Sequence, residues 1–197
     1  MKNKTIILSF LILIFLIITF FVINQNTFII NLDNIINNFM GNNQIPYINK
    51  TMSSITKIGD VYETFIIFII FGLFLILKNK KKFYIFTFAT FLGIISTEII
   101  KHLIQKVRPY NLIEQGFSFP SAHTVIATIF LFSSIFLLLP MMKENFLKKV
   151  FLLIISIIFP LIAFSRIYLS FHWTSDVFAG IILGLICFIF AKIIIKD

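Results

Sequence analysis

Six long apolar runs separated by short polar stretches set the layout of this chain. Each is near the roughly 20 helical residues that cross a hydrocarbon core of about 30 Å. They fall near residues 5–25, 61–78, 83–104, 121–140, 150–170 and 174–195. The runs are continuously apolar rather than alternating, which argues against a membrane β-barrel. The pattern predicts an all-α polytopic membrane protein, a six-transmembrane-helix bundle forming one membrane-embedded domain over residues 1–197. The first run could be mistaken for a signal peptide. It ends Phe20-Phe21-Val22-Ile23-Asn24-Gln25, with no small-residue cleavage site, and is read as a retained anchor.

Residues 26–60 are too polar to span and carry a pattern of their own. Phe28, Ile29, Leu32, Ile35, Ile36, Phe39 and Met40 recur at helical spacing. Asn31, Asp33, Asn34, Asn37 and Asn38 lie between them, and Gly41 is placed to end the helix. A second pattern follows Pro46 through Ile48, Met52, Ile55 and Ile58. One or two amphipathic helices on the outer face are expected, either as a cap on the bundle or as a wall guiding a lipid tail.

Composition supports the membrane reading. Of the 197 residues, 59% are hydrophobic and 13% charged, against roughly 25% charged in soluble domains. The net charge of +9 would hint at nucleic acid in a soluble chain. Here the cations sit in loops and motifs, so no nucleic-acid partner is expected. With the N-terminus inside, 11 of the 17 basic residues fall on the cytoplasmic side, among them Lys78, Lys80, Lys81 and Lys82. The positive-inside rule then puts both termini in the cytoplasm. The outer side holds Lys50, Lys57, Lys101, Lys106, Arg108 and Arg166. The sole cysteine, Cys187, lies within an apolar run and is read as packing.

Three polar clusters then stand out, all on that outer face. The first, Lys101-x6-Arg108-Pro109, closes the third span; Pro109 is expected to stop the helix and stiffen the outer loop. Two fixed cations there would clamp a phosphate. The second, Pro120-Ser121-Ala122-His123, opens the fourth span, with Pro120 suited to the first helical position. The free N–H groups of that turn make an anion seat, Ser121 adds a hydroxyl, and His123 could protonate a leaving oxygen. The third, Ser165-Arg166-x5-His172-x3-Asp176, joins the fifth and sixth spans. At a spacing of four, Asp176 can fix the tautomer of His172 and free its other nitrogen for attack or metal binding. Arg166 suits bidentate contact with phosphate oxygens.

Taken singly, each of these residues has a plainer reading. A cation at a span end usually snorkels to the headgroups, and a lone histidine is more often a satisfied polar residue. Metal binding competes for two histidines and an aspartate, but the surrounding cations disfavour a divalent ion, and no carboxylate cluster suits a hard cation. Glu98 is expected to pair with Lys101 or His102; His102 itself is given no role.

Together, the clusters resemble those of the type 2 phosphatidic acid phosphatase family: Lys-x6-Arg-Pro, Pro-Ser-Gly-His and Ser-Arg-x5-His-x3-Asp. The first and third fit at every fixed position; the second carries Ala122 where glycine is usual. The resemblance implies a lipid phosphatase whose partners are the bilayer and a phosphorylated membrane lipid: phosphatidylglycerophosphate, phosphatidic acid or undecaprenyl diphosphate. It implies that His172 forms a phosphohistidine, that Asp176 orients it, and that His123 is the general acid. It also implies that Lys101, Arg108, Ser121, Arg166 and the Ala122 N–H bind phosphate, with no metal or other cofactor. A lipid or ion transporter and a non-catalytic lipid-binding member are the rival readings. Nothing beyond the helix count favours the transporter, and Ala122 is the one motive for the other.

Overall fold

The computed structural model describes residues 2–109 and 115–196. Among these residues eight α-helices follow one another: α1 (Lys2–Ile23), α2 (Thr27–Asn42), α3 (Pro46–Lys57), α4 (Val61–Lys78), α5 (Lys80–Ile104), α6 (Ala122–Ser133), α7 (Phe146–Tyr168) and α8 (Thr174–Ile194). A wide π turn over Ser134–Leu138 and a 3₁₀ turn over Leu139–Met141 extend α6. With that extension, six helices among the described residues are long and apolar enough to cross a membrane. They match the six expected spans to within a few residues. The short helices α2 and α3 occupy the polar segment between the first two.

Burial orders the bundle. The stretch Ala122–Met141 has 61% of its most apolar window buried, against 6% for the window in α1. The α6 stretch is therefore the central helix, and α8 packs against it, α1 and α5. Glycine makes the α6–α8 seam possible. A Cβ on Gly180 would lie 2.9 Å from the Ser121 carbonyl oxygen, and one on Gly184 would lie 2.7 Å from Thr128 Cβ and 2.8 Å from the Val125 carbonyl oxygen. The spacing of four puts both on one face, the small-residue pattern that lets helices in lipid approach closely. Outward, α1 exposes Phe10, Leu13, Leu16 and Phe20, as a helix facing lipid does.

The α2–α3 end of the bundle collects the C-termini of α1, α5 and α7 and the N-termini of α4, α6 and α8. All three polar clusters lie there. Lysines gather at the opposite end, where Lys82 Nζ bonds the Leu137 carbonyl of the π turn (2.9 Å) and Lys81 Nζ bonds the Lys196 carbonyl (2.6 Å).

Several local expectations are corrected. Helix α5 ends at Ile104 with Gln105 in the left-handed region (φ 54°), so Pro109 does not stop it. The loop expected beyond Pro109 falls at 110–114, outside the described residues. Gly41 lies inside α2, which runs to Asn42. The facing of α2 is mixed. Phe28, Ile35 and Phe39 are exposed and Asp33 and Asn37 buried, whereas Ile29, Leu32, Ile36 and Met40 are half-buried and Asn31, Asn34 and Asn38 exposed. Periodicity sees that a helix is two-faced; it does not see that Asp33 finds partners inside.

The seam carries a stability prediction. Gly184→Ala forces a methyl against the α6 backbone and should cost about 1–3 kcal/mol. A thermal melt of the purified variant checks this, and an unchanged unfolding temperature would contradict the packing.

Candidate active site

The turn between α7 and α8 builds the centre of the site. Ser170 takes a left-handed backbone (φ 55°). The N–H groups of Phe171 and His172 then both bond the Arg166 carbonyl, at 3.0 and 3.1 Å. Trp173 caps α8, and its N–H donates to Asp176 Oδ2 at 2.9 Å. His172 therefore sits just before the helix rather than in it, with Nδ1 3.4 Å from the same Oδ2. Both side chains are fully enclosed.

Arg108 settles the state of the ring. Its Nη1 lies 3.1 Å from His172 Nε2. A guanidinium only donates, so Nε2 accepts and the ring proton resides on Nδ1, toward Asp176. Arg108 is itself held by the carbonyls of Gly116 (3.2 Å) and Phe171 (3.0 Å). Burial lowers the His172 pKa to about 4; the hydrogen bond and charge of Asp176 pull it up, and the charges of Arg166 and Arg108 push it down. The ring is neutral at neutral pH, with its lone pair aimed at a cation.

The second cluster meets the third through the main chain, where the Ser121 N–H donates to the Asp176 carbonyl at 3.1 Å. Here the structure corrects the helix start. Ser121 is the capping residue and Ala122 the first helical one, so Pro120 precedes the cap. Ala122 is helical, and a methyl group is tolerated there as glycine would be. Thr124 Oγ1 donates to the buried Ser121 Oγ at 3.0 Å. His123 Nε2 lies 2.9 Å from Asp60 Oδ1 at the start of α4. Gly59 makes room for this ring, since a Cβ there would lie 2.5 Å from His123 Cδ2.

The remaining expected residues are placed as follows. Arg166 is buried, donates to Thr56 Oγ1 of α3 at 2.7 Å, and stacks on Phe171 at 4.8 Å. Lys101 lies in the last turn of α5, with its ammonium 3.3 Å from Glu98, the pairing expected from their spacing. The described contacts thus join Arg108, Arg166, His172, Asp176 and Ser121 directly or through the main chain, with Ala122 next to Ser121 in the chain. They tie His123 to Asp60 and Lys101 to Glu98.

Sequence reasoning missed the residues behind the site. Lys106 entered only as an outer-face cation, yet its ammonium lies 3.0 Å from Asp176 Oδ1, 2.9 Å from Asp33 Oδ2 and 2.6 Å from Ser175 Oγ. Asp33, Asp60 and Thr56 had no assigned partner. One signal was available: Asp33 is the only charged residue in α2. Among the described residues, no group of three His, Cys, Asp or Glu side chains is placed to hold a metal ion. The arrangement offers a neutral imidazole nitrogen, a second histidine and several cations, which suits an anionic electrophile.

Comparison with known proteins identifies the family. The sequence model of the PAP2 superfamily matches residues 82–197. Phosphatidylglycerophosphatase B of Bacillus subtilis (strain 168) is 30% identical over 156 residues, covering 75% of each chain. The undecaprenyl-diphosphatase of Sulfolobus acidocaldarius is 30% identical over 152 residues, covering 72% of this chain and 68% of that protein. The crystal structure of the transmembrane PAP2-type phosphatidylglycerolphosphate phosphatase from Bacillus subtilis superposes with a TM-score of 0.82 at 26% identity, over 96% of both chains. Aquifex aeolicus LpxE gives a TM-score of 0.61 at 25% identity, over 84% of this chain and 94% of that one. With all three polar clusters at one end of a six-span bundle and the family pattern matched across more than half its length, this multi-pass membrane chain belongs to the PAP2 superfamily of phosphatases.

Proposed function

We propose that this protein is a metal-independent lipid phosphatase acting through a phosphohistidine at the extracytoplasmic face of the cytoplasmic membrane, with both termini cytoplasmic. The observation that carries the reading is the buried His172, with Nε2 accepting from Arg108 and Nδ1 facing Asp176. In the reaction, Nε2 attacks phosphorus and the bond to the leaving oxygen breaks. His123 gives that oxygen its proton, releasing a lipid alcohol or a lipid monophosphate. Water then attacks the phosphohistidine, His123 takes the water's proton, and inorganic phosphate leaves with Nε2 restored. Arg108, Arg166, Lys101, Ser121 and the Ala122 N–H serve the phosphoryl oxygens, and Asp176 orients His172.

A crevice of about 360 Å³ supports a lipid substrate. It lies between α4, α5 and α6, with Ala122 and His123 at its polar end and Phe65, Phe68, Phe91 and Ile126 along its walls. A chain in that crevice would leave its headgroup beside the second cluster. Phosphatidylglycerophosphate, phosphatidic acid and undecaprenyl diphosphate are the substrate candidates, and the names of the curated relatives favour the first and third.

The purified protein should release phosphate from such lipids in excess chelator, and orthovanadate should inhibit it. His172→Ala should lower kcat at least about 1,000-fold; full activity in that variant, or a strict metal requirement, would refute the mechanism. Comparing kcat/KM across the three lipids ranks them. Gly59→Ala crowds the His123 ring and should reduce kcat about 10–100-fold with a smaller change in KM. Because burial keeps His172 neutral down to about pH 4, its ¹⁵N NMR titration midpoint should lie near 4 rather than 6.5. A midpoint near 6.5 would contradict an enclosed ring.

A further inference from the structure

Asp176 is fully enclosed and bears two sets of contacts. Oδ2 serves His172 and the Trp173 N–H; Oδ1 is held by Lys106 at 3.0 Å. Lys106 comes from the loop after α5, and its ammonium is in turn fixed by Asp33 Oδ2 at 2.9 Å. Asp33 belongs to α2, the helix that lies across this end of the bundle. It also takes the Ser175 N–H at 2.8 Å and the Ser175 hydroxyl at 2.6 Å, and so grips the first turn of α8 next to Asp176. The Lys106 ammonium additionally faces the Trp173 ring at 5.6 Å.

Each link has a physical purpose. A carboxylate removed from water needs a compensating charge and satisfied oxygens. Lys106 supplies the charge from the side opposite His172 and leaves Oδ2 for the imidazole. Left alone, that ammonium could swing away on its flexible stem. Asp33 removes that freedom, and its bonds to Ser175 lock the position of the turn that carries Asp176. The cluster sits behind the catalytic pair and touches no reacting atom in the mechanism above.

We propose that Lys106 and Asp33 are positioning residues for phosphoryl transfer: an Asp33–Lys106–Asp176 relay, anchored on the surface helix α2, sets the orientation of the carboxylate that orients His172. The inference rests on the reading of His172 as nucleophile. It predicts that charge at position 106 matters to the chemical step rather than to substrate capture.

The test is steady-state phosphate release from a lipid phosphate by the full-length protein. Lys106→Met should lower kcat about 30–100-fold with KM within about 3-fold, and Lys106→Arg should recover most of the loss. Asp33→Asn is nearly isosteric and keeps an acceptor for Ser175; it should lower kcat about 5–20-fold. A folded Lys106→Met with wild-type kcat would overturn the proposal. So would equal losses in Lys106→Met and Lys106→Arg, or losses that appear wholly in KM. Should Lys106→Met fail to fold, Asp33→Asn decides: a selective kcat loss supports the relay, and unchanged kcat overturns it. His172→Ala in the same series separates the two readings. If it is inert while Lys106→Met is normal, only the relay fails; if it is active, the phosphohistidine reading fails.

Discussion

The end of the bundle that holds the site is organised around one constraint, the burial of the Asp176 carboxylate. Removing one partner of a buried ion pair costs about 3–5 kcal/mol, so this anion must be surrounded before the helices can close on it. Lys106 supplies opposite charge, Trp173 a main-chain donor and His172 a ring nitrogen. The main-chain carbonyl of Asp176 takes the Ser121 N–H and so stitches α6 to α8. Around it, Arg108 reaches His172 and Arg166 reaches Thr56. Elements distant in sequence converge because each answers a polar group that lipid would not.

The glycines of α8 serve the same end by a different means. Gly180 and Gly184 let α6 lie close enough for its first turn to reach Asp176. Gly59 performs a similar service for His123. Backbone proximity is set by what is missing from these positions, and the polar contacts follow from it.

Much of this was legible in the chain. Apolar run length gave the six spans, and the basic residues sorted the two ends of the bundle. Motif spacing brought His172 to Asp176 and Lys101 to Glu98, because contacts at three and four residues follow from local geometry. What stayed hidden were contacts across long sequence separations. Lys106 looked like a loop cation, and Asp33 and Asn37 were simply polar positions lying between the apolar ones of α2. Local periodicity has no information on partners 73 and 142 residues away in the chain, Lys106 and Ser175, and so the burial of Asp33 was not foreseen. The helix starts and stops around Pro109 and Pro120 also shifted by a few residues, since capping by Gln105 and Ser121 decided them.

The mixed facing of α2 has a consequence for how this protein meets its surroundings. Phe28, Ile35 and Phe39 point away from the bundle while Asp33, on the same rigid rod, points into it. The helix is about 16 residues long and has no internal glycine hinge before Gly41. The exposed apolar edge and the buried carboxylate thus share one helix, so any displacement of α2 also moves the group that holds Lys106 and Ser175.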